Sequence, residues 1–165
     1  MSLTLILTRH GKSDWTGEQD DFDRVLAPRG VKAATALGRW LAGELYVPDA
    51  ALVSPAARTV ETFERIAAEL PERPEATYLQ PLYHAAPATI LDAIRKVEAP
   101  CLLYVGHNPG IGIAAARLAG EAPDHDQFDA YPTGATTVLR FEIHRWSDLR
   151  ENAGEVVDFV VPREL

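Results

Sequence analysis

Arg9 and His10 arrive together at the end of an apolar run, Leu3-Thr4-Leu5-Ile6-Leu7, and Gly11 follows them where the backbone must turn. A fixed guanidinium beside an imidazole can hold an anion with one group and attack it with the other. Taken alone, the pair reads more readily as charged residues capping a strand. Two further stretches bear on the choice. Arg58 lies within Ser54-Pro55-Ala56-Ala57-Arg58-Thr59-Val60-Glu61-Thr62, and His107 lies within Gly106-His107-Asn108-Pro109-Gly110, behind the apolar run Cys101-Leu102-Leu103-Tyr104-Val105. His84 adds an imidazole in Pro81-Leu82-Tyr83-His84-Ala85. Brought together, these groups would form a site for an anion the size of phosphate.

The elements that must position them alternate between strand and helix. Residues 3–7 read as a strand buried on both faces. A long polar loop over 12–27 carries Asp14, Glu18, Asp20, Asp21 and Asp23. Pro28 suits a first helical position, and Val31, Ala34, Leu37, Leu41 and Leu45 recur at helical spacing, so a helix is expected near 28–45. Residues 50–53 read as a second strand. Ser54-Pro55 then reads as an N-cap followed by proline at N1, with an apolar helix face continuing to Leu70. A third strand is expected near 76–79, a loop over 80–86, and a helix over about 87–97. The run 101–105 is a fourth strand, with Asn108 as cap and Pro109 as N1 of a helix ending near Gly120. Two β-patterned runs, 136–144 and 156–161, close the chain as an antiparallel pair at the sheet edge. The expected architecture is an α/β three-layer sandwich with a mostly parallel central sheet and an antiparallel edge, formed by one domain over 1–165.

That layout has a chemical consequence, because ligands of open α/β sheets sit beyond the C-terminal ends of the strands. His10 follows the first strand and His107 the fourth. Arg58 falls in the first turn of the helix after the second strand, and His84 in the loop after the third. All four are expected at one edge, beside helix N-termini that favour anions.

The three motifs, in this order and on these elements, resemble the histidine phosphatase superfamily, which includes phosphoglycerate mutases and acid phosphatases. The length of the chain and the stretch Arg9-His10-Gly11-Lys12-Ser13-Asp14-Trp15 resemble its small phosphohistidine phosphatase branch. The similarity spans essentially the whole chain and implies a phosphoglycerate-mutase-like fold. It implies that His10 is the nucleophile, carrying the phosphoryl group as a transient phosphohistidine, and that Arg9, Arg58 and His107 surround the phosphoryl oxygens. The chemistry agrees, since arginine offers a rigid donor fork to phosphate and a neutral imidazole can attack phosphorus. Ser13 could add a hydroxyl contact and Arg24 could reach the pocket from the long loop, or both could be solvated loop residues.

The chain also departs from the superfamily pattern. Mutases and many phosphatases of this kind use a carboxylic acid to protonate the leaving oxygen, either after the third strand or just after the second histidine. Asn108 follows the second histidine here, and Pro81-Leu82-Tyr83-His84-Ala85 contains no carboxylate. His84 is either a substitute acid or a polar pocket wall, and Asp14 is a more remote choice.

Composition narrows the function classes. A formal net charge of −8 over 165 residues argues against broad binding to nucleic acid or anionic membrane, and leaves room for local basic pockets. No stretch is apolar for long enough to span a bilayer. Cys101 is the only cysteine, which excludes a disulfide framework and a thiolate zinc cluster, and the expected setting is cytoplasmic. Gly11-Lys12-Ser13 resembles the tail of a P-loop, but Ile6 stands where its first glycine must be. Gly110-Ile111-Gly112 fits a loose dinucleotide fingerprint, yet it follows the fourth strand rather than the first. A cysteine phosphatase would need an arginine where His107 stands. A metal site on His10, His84 and His107 would face repulsion from Arg9 and Arg58, so neither metal nor cofactor is expected. Two function classes remain. One is a phosphatase acting on phosphohistidine in a partner protein, with small phosphate esters as the alternative substrates. The other is a phosphate- or phosphoprotein-binding module without turnover, against which the intact set of Arg9, His10, Arg58 and His107 speaks.

Overall fold

Strand β1 (Leu3–Arg9) serves two cores at once. Leu3, Leu5 and Leu7 enter one hydrophobic cluster and Ile6 the other, the two-sided burial of a parallel strand with helices on both faces. In the computed structural model, which describes residues 2–165, β1 stands inside a six-stranded sheet. The order is β3 (Glu75–Tyr78), β2 (Ala50–Val53), β4 (Cys101–Gly106), β1, β5 (Thr136–Phe141) and β6 (Glu155–Val160). The first four run parallel, β5 is antiparallel to both its neighbours, and the expected antiparallel edge is therefore present.

Helices cover both faces. Helices α1 (Pro28–Gly43) and α2 (Ala57–Ala67) bury Ala34, Leu37, Leu41, Phe63 and Ile66 against one side of the sheet. Helices α3 (Pro87–Ile94) and α4 (Gly110–Leu118) bury Ile90, Ile94, Ile111 and Leu118 against the other. This is the three-layer α/β sandwich expected from the alternating pattern. Strand alternation selects the layers: in β4, Leu102 and Tyr104 face one core while Leu103 and Val105 face the other.

Several boundaries differ from the sequence reading. Helix α1 stops at Gly43 because Leu45 takes a left-handed conformation (φ 63°), letting the Tyr46 N–H bond the Leu41 carbonyl at 2.8 Å. Helix α3 stops at Ile94, short of 97, and α4 stops at Leu118. Ser54-Pro55 is not the N-cap and N1 of α2, which starts at Ala57 without a side-chain cap. Asn108-Pro109 does not cap α4 either; the Asn108 amide donates to the carbonyls of Ala130 and Tyr131, at 3.1 and 2.9 Å. In each case a polar side chain next to a helix start has a partner elsewhere. Gly11 is required for close approach rather than for a left-handed turn. A Cβ there would stand 2.9 Å from the carbonyl oxygen of Gly30, in the first turn of α1.

Candidate active site

The parallel strands deliver their C-terminal ends to one edge, and hydrogen bonding continues one residue past each strand. The His10 N–H donates to the Gly106 carbonyl and the Ser54 N–H to the Val105 carbonyl, both at 3.1 Å. These ties fix the backbones of three site segments relative to one another before any side chain is considered. Helix α2 adds a third tie, through Thr62, whose hydroxyl accepts the Gly11 N–H at 3.1 Å.

His10 is 6% exposed and stands in one defined tautomer. Its Nδ1 lies 2.7 Å from the Gly11 carbonyl, an oxygen that can only accept, so Nδ1 carries the proton. The lone pair is left on Nε2, and Arg58 Nε donates toward it at 3.4 Å. Burial, with the charges of Arg58, Arg9 and Arg24 around it, lowers the His10 pKa to about 3. At neutral pH the ring is uncharged with Nε2 free to act as a nucleophile.

His107 faces the same space, its ring centroid 5.4 Å from that of His10. Its Nε2 lies 2.7 Å from the Ser54 hydroxyl, which explains why Ser54 does not cap α2. Arg58 Nη2 approaches its Nδ1 at 3.4 Å. Burial and the neighbouring His10, Arg58 and His84 lower its pKa to about 2. Arg9 donates through Nη1 to the Tyr131 carbonyl at 3.1 Å, while its buried Nε has no hydrogen-bond partner. A buried guanidinium donor of this kind is costly without an acceptor, and an anion in the site would supply one.

Asp21 joins the remaining site residues, and the sequence reading had left it among the loop acids. Its Oδ2 receives Arg58 Nη2 at 3.0 Å, lies 3.1 Å from His84 Nε2, and accepts the Tyr83 hydroxyl. Its Oδ1 accepts Arg24 Nη2 at 2.9 Å, and its backbone carbonyl accepts Arg58 Nη1 at 2.7 Å. Partial burial opposes ionisation of Asp21, but the hydrogen bonds from Tyr83, Arg24, His84 and Arg58 outweigh it and hold the carboxyl well below the usual carboxylate range. Two guanidiniums, Arg24 and Arg58, meet this carboxylate, and Arg9 adds a third cation without touching it, giving a locally positive site on an acidic protein.

Ser13 and Arg24 are not solvated. They are 6% and 7% exposed, Arg24 Nη1 donates to the Ser13 hydroxyl at 2.5 Å, and the guanidinium lies 3.4 Å above the Trp15 ring centre. His84 stands at the mouth with 49% of its side chain exposed, in a left-handed conformation (φ 51°) and 4.7 Å from the His107 ring. Asp14 is not brought to this cluster, since its carboxylate accepts the N–H and hydroxyl of Thr16 in its own turn. Cys101 is partly buried, and burial together with Asp49 pushes its thiol up to about 12, far from a reactive thiolate.

Two buried neutral histidines tie stability to pH. The unfolded chain takes up their protons near pH 6.5, whereas the folded protein does not do so until about 3 and 2, so stability falls as pH drops below 6.5. Between pH 7.5 and 5.5 the expected loss is about 2.5 kcal/mol for two protons. Urea unfolding at both pH values measures it, and His107→Gln should remove about half of the dependence. A pH-independent midpoint over this range would contradict charge exclusion at the site.

Residues 5–79 match the sequence profile of the histidine phosphatase superfamily (branch 1). A candidate phosphohistidine phosphatase SixA from Nakamurella multipartitia superposes with a TM-score of 0.86 at 30% identity, covering 98% of this chain and 97% of its own. The chain belongs to the histidine phosphatase superfamily. A second candidate SixA, from Agrobacterium tumefaciens, has a TM-score of 0.80 at 27% identity, with 97% and 98% of the two chains covered. An uncharacterised protein of Mycobacterium tuberculosis is 36% identical over 162 residues, 94% of this chain and 99% of that one.

For this superfamily member, all four motif residues, Arg9, His10, Arg58 and His107, converge, with Ser13, Arg24 and His84 at the site's walls and mouth. Asp21, Tyr83 and Ser54 were missed. Asp21 is one of five loop acids, and only its position three residues before Arg24 sets it apart. Ser54 carried a competing signal, as a helix cap. Nothing in the sequence around Tyr83 marks its hydroxyl as a partner for a loop carboxylate 62 residues away.

Proposed function

We propose that this protein is a phosphatase that removes the phosphoryl group from phosphohistidine in a partner protein, in the cytoplasm, through a covalent phosphohistidine on His10. The carrying observation is the fixed tautomer of His10, neutral at physiological pH, with its Nε2 lone pair facing Arg58 Nε. In the first step the Nε2 lone pair attacks phosphorus. The bond from phosphorus to the substrate's ring nitrogen breaks, and the electron pair leaves with that nitrogen. Water then attacks the phosphoryl group on His10, giving inorganic phosphate and restoring the neutral ring. Arg9, Arg58 and Arg24 stabilise the charge on the phosphoryl oxygens, and His107 lines the same space.

Two features favour an N–P bond in a protein. The link from α2 to β3 occupies only residues 68–74, so no cap domain is inserted there and the mouth stays open to a side chain presented by another folded protein. The site also lacks a protonated carboxylic acid, because Asp21 is held ionised. An alkoxide leaving group needs a general acid worth about 10²–10⁴-fold, whereas a phosphohistidine protonated on its ring releases neutral imidazole. Phosphohistidine phosphatase names among the structural relatives support the same substrate class.

One observation favours a secondary phosphomonoesterase activity: His84 stands at the mouth, 3.1 Å from the Asp21 carboxylate, as an imidazole able to deliver a proton. A panel of phosphohistidine, phosphoserine and 3-phosphoglycerate tests both readings. Phosphohistidine should give the highest kcat/KM, and His84→Ala should slow ester hydrolysis by about 10²-fold while changing phosphohistidine hydrolysis severalfold at most. Preference for phosphoserine or 3-phosphoglycerate would overturn the substrate assignment.

A further inference from the structure

Outside the catalytic edge, a groove of about 1320 Å³ runs between α1 and the segment that follows β6. Its rim holds Lys12, Arg29, Lys32, Arg39 and Arg163, and no Asp or Glu side chain lines it among the described residues. The protein carries 16 Lys and Arg against 24 Asp and Glu, so a groove lined by five cationic side chains and no acidic one runs against the charge of the protein as a whole. Only Arg39 and Arg163 have carboxylate partners among the described residues, Glu69 at 2.6 Å and Asp126 at 3.9 Å. The floor between the cations is apolar, with Val31, Ala36 and Pro162.

Both walls of the groove are tied to the backbone that carries His10. Lys12 is two residues beyond His10, and its carbonyl accepts the Ala27 N–H at the start of α1. On the opposite wall, Pro132 and Thr133 precede Gly134, whose N–H bonds the carbonyls of Arg9 and His10 at 3.1 and 2.9 Å. From Arg29 to Arg39 the cations follow α1 for roughly 15 Å at 1.5 Å per residue. That length and volume exceed what a small ligand fills and suit a segment of polypeptide.

We infer that this groove docks an acidic, amphipathic segment flanking the phosphorylated histidine of the substrate protein. The inference rests on the reading of the site as a protein phosphohistidine phosphatase, and it adds how a protein substrate is selected. Acidic side chains on the segment meet the cationic rim, its apolar face meets the floor, and the phosphohistidine is led to the end of β1. The acidic remainder of the surface repels the same segment elsewhere, so the groove also orients the encounter.

The test uses two probes and the double charge reversal Arg29→Glu with Lys32→Glu, both exposed positions on the first turns of α1 and outside the catalytic cluster. The first probe is a fluorescein-labelled, unphosphorylated Glu/Leu amphipathic peptide, read by anisotropy at low salt, with a Gln/Leu peptide and a 20-nucleotide single-stranded DNA as comparisons. The acidic peptide should bind at least tenfold more tightly than the neutral one, and the reversal should abolish that difference. The second probe is the same acidic peptide carrying one phosphohistidine, with phosphoramidate as a small phosphoryl donor. The reversal should raise KM for the peptide at least tenfold, leave its kcat within twofold, and leave phosphoramidate turnover unchanged. Equal binding of acidic and neutral peptides, or a peptide KM unmoved by the reversal, would overturn the docking role while the phosphatase reading stands. Tighter binding of the DNA, lost on the same reversal, would also overturn it, in favour of a nucleic-acid surface. Absence of turnover with every phosphorylated probe would overturn the phosphatase reading instead, and the anisotropy result would still decide whether the groove takes acidic segments.

Discussion

Replacing His10 by alanine is expected to lower kcat by about 10⁴-fold or more while leaving the fold in place. Loss of a covalent nucleophile costs on the order of 10⁶-fold in well-studied hydrolases, with residual activity left by binding and electrostatic groups. The backbone at this position is fixed independently of the side chain, by the His10 N–H to Gly106 bond and the Gly11 N–H to Thr62 bond. The truncated ring is neutral, and the only hydrogen bond it donates goes to the adjacent carbonyl of Gly11. The variant should therefore keep its far-ultraviolet circular dichroism and a thermal midpoint close to that of the parent at pH 7. Activity within tenfold of the parent would mean that another group attacks phosphorus.

The second large effect concerns Arg58, which is 1% exposed and addresses His10, His107 and Asp21 with one guanidinium. Arg58→Ala should lower kcat/KM for phosphohistidine by about 10²–10³-fold, or about 3–4 kcal/mol, the scale of losing one preorganised oxyanion donor. Arg58→Lys should recover less than tenfold of that loss. An ammonium keeps the charge but not the planar fork that reaches Nε2 of His10 and both acceptors on Asp21 at once. Full recovery by lysine would mean that the charge alone matters and that the fork geometry does not. Steady-state kinetics on the two variants decide between these outcomes.

The sequence made the scaffold legible because the scaffold is periodic. The apolar runs at β1 and β4 and the 3.6-residue spacing in α1 and α2 follow from burial on two faces, and the placement of Arg9, His10, Arg58 and His107 at one edge follows from parallel strand order. The contacts that complete the site are not periodic. Asp21 reaches Arg58 over 37 residues and Tyr83 over 62, through a loop whose path depends on the Leu26 N–H to Glu61 bond and on the Arg24 side chain buried against Ser13. A loop of this kind has no internal repeat, and five of its residues offer a carboxylate. Ser54 and Asn108 were misread as caps for a related reason: a polar residue before a helix has a strong local use, and here tertiary partners, His107 for one and the Ala130–Tyr131 carbonyls for the other, compete successfully for it.

The electrostatic arrangement joins these parts into one account. Burial keeps His10 and His107 uncharged, three arginines make the site positive, and Asp21 holds Arg24 and Arg58 while remaining ionised. The phosphoryl group is expected to pass through Nε2 of His10. Rapid mixing of the enzyme with a phosphohistidine peptide, denaturation in alkali and peptide mass spectrometry test this directly. The predicted result is a phosphoryl group on His10, stable in base, lost in acid and absent from His10→Ala. A phosphoryl group on Ser13, Cys101, His84 or His107, or release of phosphate with no phosphorylated enzyme formed, would contradict it.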